Sequence, residues 1–171
     1  MKISRRHLTL LLVLLAAVVA FLKERQGGPG APLPAEVSGR IRGIDGDSFR
    51  LGADEVRLVG IDAPEGRQDC ERGGARWACG EEAARRLGSL VGNREVTCRI
   101  EDRDQYGRLL AVCSVAGIEI NRYMVENGWA VSYGRYGELE KAAARARRGI
   151  WAGSFERPKA WRAQHAGERG S

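Results

Sequence analysis

Histidine is nearly missing from these 171 residues: only His7 and His165 occur, one near each end. A central region without imidazole excludes a Ser-His-Asp triad, a histidine-dependent phosphodiesterase centre and a His-bearing zinc site, and leaves carboxylates, arginines and hydroxyls to carry any chemistry. No C-x-x-C pair occurs, so the four cysteines lack the usual spacing of a zinc site. Nor is positive charge spread along the chain. The formal net charge is +6, but residues 1–26 hold +4 of it and residues 156–171 hold +2, so the segment between them is neutral. A polyanion must then be gripped by a local constellation rather than a uniformly basic face, which favours a focused site over a passive binder. No internal repeat is visible, and 43% apolar content over this length supports one ordinary domain with terminal extras.

Residues 8–22 (LTLLLVLLAAVVAFL) form an apolar run of 15, preceded by Lys2, Arg5 and Arg6 and followed by Lys23. Over residues 1–25 this has the form of a signal peptide, with Val18, Val19 and Ala20 as a small-residue cleavage site, or of an uncleaved membrane anchor. The run is shorter than the ~20 residues of a comfortable bilayer span, though flanking Lys and Arg extend it by snorkelling. In both cases the positive-inside rule places the remainder outside the cytoplasm, periplasmic or secreted. Residues 26–35 (QGGPGAPLPA) read as a flexible linker, residues 36–155 as the folded domain and residues 156–171 as a basic polar tail.

Cys70, Cys79, Cys98 and Cys113 are an even number in a chain that reads as exported, which predicts two disulfides rather than a metal site. Cys98 and Cys113 lie symmetrically about a turn at Gln105 and Tyr106, so a hairpin there sets them opposite each other and leaves Cys70 to pair with Cys79. Short β-type runs fall at residues 37–44, 48–51, 56–61, 96–100 and 109–115. Residues 80–91 place Ala83, Ala84, Leu87 and Leu90 or Val91 at helical spacing. Two further helices are predicted at residues 122–127, capped by Asn121, and at residues 138–148, stopped by Gly149. Five strands with about three helices predict an α+β domain around a small closed sheet, compatible with an OB-fold barrel. Trp77, Trp129, Trp151 and Trp161 read as packing residues.

Three stretches carry candidate chemistry. In Ile44-Asp45-Gly46-Asp47-Ser48, Asp-Gly is a hairpin turn signal, and Asp47 stands where the next strand starts, at a rim where a hard cation can reach its carboxylate. In residues 56–65 a strand brings out Arg57 and ends in Asp62 and Glu65, held at a set separation by Pro64, so that one acid can bind a metal while the other addresses a water. Arg57 and Asp62 have opposite parity in a straight strand, so a bend at Gly60 or at the exit near Asp62 is required. In residues 102–108 a turn is followed by Arg108, and two guanidinium forks, Arg57 and Arg108, suit the non-bridging oxygens of a phosphate gaining charge.

IDGDSFRL, VRLVGIDAPE, DQYGRLLA and GIEINRYMVENGWA, followed by a helix ending RRGIW, resemble the staphylococcal nuclease-like (thermonuclease) family over residues 37–151. The resemblance implies an OB-fold barrel and a monomeric nuclease acting on DNA or RNA. It further implies a Ca²⁺ ion held by Asp47, Asp62 and the carbonyl of Ala63, and a catalytic set of Arg57, Glu65 and Arg108, with Glu65 orienting or deprotonating the attacking water. Tyr133 and Tyr136 are candidates for nucleotide contact or for packing at a helix start. Ser48 and Ala63 stand where the family often has threonine, and residues 66–79 depart from the corresponding loop. Two other readings are a catalytically silent nucleic-acid-binding OB domain and an envelope-tethered scaffold. The first is disfavoured because Arg57, Glu65 and Arg108 are all present, and nothing in the sequence supports the second.

Overall fold

The computed structural model describes residues 32–166. The apolar run at 8–22, expected as a leader or membrane tether, and most of the expected linker lie outside the described residues. Among those described, no helix is long and apolar enough to cross a membrane.

The chain after residue 34 builds a seven-stranded sheet around the larger of two hydrophobic clusters. Its strands are β1 (Glu36–Gly39), β2 (Ile41–Arg42), β3 (Ser48–Leu51), β4 (Asp54–Leu58), β8 (Val96–Arg103), β9 (Leu109–Val115) and β10 (Ile118–Glu119). The hydrogen-bonded order is β1-β8-β9-β4-β3-β2, with β10 on β9. Only Arg40 separates β1 from β2, so the two ends of that path are one stretch of chain and the sheet is a nearly closed barrel of OB type. Two short pairs stand beside it: β5 (Ile61–Asp62) with β11 (Val131–Ser132), and β6 (Cys70–Arg72) with β7 (Ala75–Trp77). The last of these lies in the stretch that departs from the family pattern.

Alternation explains the barrel interior. Along β9, Leu109, Ala111, Cys113 and Val115 are buried while their neighbours are only partly so, the period-two signature of a strand with one face on the core. Against that core pack α1 (Cys79–Val91), α2 (Ile120–Glu126) and α3 (Gly137–Arg145), close to the three helices expected, and a fourth, α4 (Pro158–Gln164), follows. α1 buries Ala83, Leu87, Leu90 and Val91 and keeps Glu81 and Glu82 in its first turn, where acids favour the helix dipole. Both predicted disulfides form. Cys98 and Cys113 are direct cross-strand partners of β8 and β9, and Cys70 at the start of β6 is tied to Cys79 at the start of α1.

Two expectations are corrected. Asn121 does not cap a helix; it lies inside α2, fully buried, where its side chain accepts from the Cys113 N–H (3.0 Å) and donates to the carbonyls of Val59 (2.9 Å) and Ala111 (3.1 Å). A buried amide meets its hydrogen-bonding need on nearby backbone, here Val59 in the break between β4 and β5 and Ala111 and Cys113 of β9. The segment read as a basic polar tail contains α4, with Pro158 at its first helical position and buried.

Candidate active site

Strand register brings three distant stretches to one place. β3 and β4 form a hairpin in which Ser48 faces Arg57, and Arg57 in turn lies beside Leu110 of the parallel neighbour β9. Asp47, just before β3, and Arg108, just before β9, therefore flank Arg57 on its two sides. The bend that opposite parity requires falls at Gly60, whose φ of 78° is open to glycine and costly for other L-residues. Beyond it β5 pairs Asp62 with Val131, and the chain turns into the loop carrying Glu65.

The acids and guanidiniums interlock. Arg57 Nη2 lies 3.0 Å from Asp62 Oδ1 and 3.1 Å from Asp47 Oδ2, so one nitrogen bridges two carboxylates. Asp47 Oδ2 also accepts the Ala63 N–H at 3.2 Å. Asp47 and Asp62 are 6% and 3% exposed, deep for carboxylates. Burial pushes the Asp47 carboxyl up to about 6, against the opposing pull of Arg57 and the Ala63 N–H. Arg108 donates from Nε to Asp104 Oδ2 at 2.8 Å, and the other oxygen of Asp104 accepts the N–H groups of Tyr106 and Arg108. Burial alone would raise Asp104, but these hydrogen bonds outweigh it and hold the acid below its ordinary value. Asp47, Arg57, Asp62, Glu65 and Arg108 all line one cavity of about 960 Å³.

The structure places the remaining candidates differently. Tyr133 lines the same cavity and is 64% exposed. Tyr136 is not among the residues lining it; its hydroxyl donates to Glu119 Oε1 at 2.7 Å, and burial, then that bond, raise the phenol above its usual range. Ala63 is buried, and its N–H donates to Asp47.

Sequence reasoning missed two cations. α4 contributes Lys159 and Arg162 to the cavity wall. Arg162 forks onto Asp62 (Nη1 to Oδ1 2.9 Å, Nη2 to Oδ2 3.0 Å) and also reaches Glu65 Oε1 at 2.7 Å. The bond to Asp62, with that to Glu65, holds its guanidinium even further above neutrality than usual. The available signal was Pro158 followed by an aromatic-basic stretch, which reads as a helix start. Gln68, fully buried, carried no sequence signal; it accepts the Glu65 N–H (3.3 Å) and donates to the Glu156 carbonyl (2.6 Å).

A metal is tested by the donor set. Among the described residues no group of three or more His, Cys, Asp or Glu gathers as metal ligands. What is gathered is a pair of buried carboxylates converging on one cationic nitrogen, with Asp47 destabilised as an anion by desolvation. Two such oxygens fit a hard divalent ion that takes its other ligands from water, backbone and substrate, so the residues present are compatible with Ca²⁺.

Comparison with known proteins agrees with this geometry. The family described as "Staphylococcal nuclease homologue" matches residues 55–153. A protein named "Uncharacterized endonuclease" from Escherichia coli O157:H7 is 35% identical over 131 residues, covering 70% of this chain and 80% of that one. "Protein ParB" from Escherichia coli is 33% identical over 162 residues, covering 81% and 86% respectively. A "Probable staphylococcal-like nuclease" from Oryza sativa subsp. japonica is 32% identical over 114 residues, 63% of this chain and 28% of its own length. With the barrel, the bent strand and the family match in agreement, this chain belongs to the staphylococcal nuclease family.

Proposed function

We propose that this protein is a Ca²⁺-dependent nuclease that hydrolyses phosphodiester bonds of DNA or RNA outside the cytoplasm. The observation that carries the reading is Arg57 bridging buried Asp47 and Asp62 on the wall of a cavity that Glu65 and Arg108 also line. Relatives named as nucleases and endonucleases support the reaction class, and two disulfides support an oxidising compartment.

Each side chain has a part in that reaction. Asp47 and Asp62, with a backbone carbonyl near Ala63, would hold the ion, which supplies Lewis-acid polarisation of the phosphate. Arg57 and Arg108 present forks to the non-bridging oxygens, and their donors gain most when negative charge builds on those oxygens. Glu65 takes a proton from the attacking water as the new O–P bond forms. The opposite P–O bond then breaks with its electron pair on the leaving oxygen. Tyr133, exposed on the cavity wall, offers a face for a base to stack on.

The test is degradation of single-stranded DNA and RNA by the full-length, oxidised protein. Cleavage is expected with calcium, and is expected to vanish with a calcium chelator and to fall to a small residual rate in Glu65→Gln. Equal degradation in chelator, or an unaffected Glu65→Gln, would sink the proposal in favour of a contaminating activity, and no cleavage with calcium would favour a silent binding domain.

A further inference from the structure

We propose that Arg162 of α4 is a positioning residue of this active site, fixing the Glu65 carboxylate and bracing Asp62, so that the catalytic constellation is completed by a helix outside the family-matched segment. The inference rests on the nuclease reading for its kinetic consequence, and on geometry alone for the contact itself.

The matched segment ends at residue 153 and α4 begins at Pro158. α4 nevertheless supplies two of the four cations that line the catalytic cavity, Lys159 and Arg162. Its approach is built in. Gln68 spans from the Glu65 N–H to the Glu156 carbonyl, joining the loop that carries the acid to the residue two before α4. The backbones of Glu71 and Ser154 exchange hydrogen bonds at 2.9 Å in both directions, which docks the segment leading to α4 on β6. α1 also packs against this loop, so tightly that a Cβ on Gly80 would lie 1.7 Å from the Glu65 carbonyl oxygen. The backbone of Glu65 is thus held by Gln68 and by α1, and Arg162 holds its side chain.

The contact differs from a solvated ion pair. Asp62 exposes only 5% of its side chain and Arg162 only 26%, and the fork to Asp62 is bidentate with a third bond to Glu65. Charge-assisted bonds of this geometry are short, directional and little screened. The arrangement also leaves room for the other ligands. An ionised carboxylate offers about four acceptor positions. Asp62 uses two on the Arg162 fork and one on Arg57, so one remains for a cation without displacing Arg162. On Glu65 the contact is to Oε1, and Oε2 remains to face a water.

Arg162→Ala and Arg162→Lys, each in the wild-type and Glu65→Gln backgrounds of the full-length protein, test this. Arg162→Ala is expected to lower kcat on a short single-stranded DNA by roughly ten- to hundredfold with KM changed less than about threefold, the loss of a buried charge-assisted contact. Arg162→Lys is expected to recover part of it, since one ammonium reaches Glu65 but cannot fork. In the Glu65→Gln background Arg162→Ala is expected to cost markedly less, because the larger part of its effect acts through that acid and only the bracing of Asp62 remains. An equal loss in both backgrounds, or a rise in kcat or in calorimetric calcium affinity, overturns the proposal; the last would make Arg162 a competitor of the metal. A crystal structure of Arg162→Ala decides the contact independently of turnover. Displacement of the Glu65 carboxylate supports the proposal and an unmoved one refutes it, even if the wild-type protein cleaves nothing and the nuclease reading fails.

Discussion

Replacing Asp47 by asparagine is expected to stabilise the metal-free protein at neutral pH and to abolish its response to calcium. Burial raises the Asp47 carboxyl from 3.8 to about 6, despite Arg57 and the Ala63 N–H. A carboxyl with a raised folded value binds its proton more tightly folded than unfolded, so its contribution favours folding at low pH and is lost as pH climbs between about 4 and 6. Above that window the ionised group opposes folding by an order-of-magnitude figure of about 3 kcal/mol, at ~1.4 kcal/mol per unit. Asparagine keeps the shape and can still accept the Ala63 N–H, but carries no charge to desolvate; it also gives up an ion pair with Arg57, which Arg57 retains with Asp62. The assay is thermal unfolding of both proteins, disulfides intact, in chelator at pH 7 and pH 4 and in excess calcium at pH 7. In chelator at pH 7 the variant should melt several degrees higher, with the gap closing at pH 4, and calcium should raise only the wild type. A variant that melts below the wild type in chelator at pH 7 refutes the claim that Asp47 is a strained anion awaiting a cation.

The other expectations follow from the same geometry. Arg57→Lys and Arg108→Lys should each lower turnover roughly ten- to hundredfold while changing stability by under about 1 kcal/mol, because the fork is lost and the charge kept; steady-state kinetics beside denaturant melts checks both. Gly60→Ala should cost about 1–2 kcal/mol in left-handed strain, and its Cβ would meet the Arg135 side chain at 2.9 Å. It should reduce turnover by more than that loss of folded protein explains, since this bend aims Asp62 at Arg57; unchanged specific activity of the folded fraction would count against it.

Legibility followed the range of the forces. The strands at 48–51 and 109–115 were readable to the residue because alternation and turn chemistry are local. The cross-strand disulfide was readable because its cysteines straddle a turn. The requirement for a bend between Arg57 and Asp62 was readable from parity, and Gly60 supplies it. Asn121 was misread because a polar residue at a helix start has a local use as a cap, whereas its actual partners, Val59, Ala111 and Cys113, are set by tertiary packing. Arg162 was out of reach for the same reason: its partners lie 97 and 100 residues away, and a basic stretch near a terminus is normally solvated. Tyr136 shows the reverse, an aromatic near the expected place whose hydroxyl is spent on Glu119.

The neutral middle of the chain and the proposed use of a metal are two sides of one electrostatic argument. Six carboxylates and four cations line the cavity, so with all of them ionised its wall carries a net charge of −2. A phosphodiester entering it meets repulsion worth about 1 kcal/mol per close pair even at the dielectric of water, and more near the protein surface. The guanidiniums do not overcome this alone, because Arg57 and Arg162 are held by Asp62 and Arg108 by Asp104. The proposed divalent ion on Asp47 and Asp62 would bring the wall to neutrality and weaken their hold on Arg57, whose donors could then turn toward an incoming phosphate while Arg162 stays on Asp62 and Glu65. Substrate affinity should then depend steeply on the ion and only weakly on monovalent salt, since few surface cations shed counterions on binding. A protein built to bind by a basic face would show the opposite ranking, a strong salt dependence with indifference to chelation.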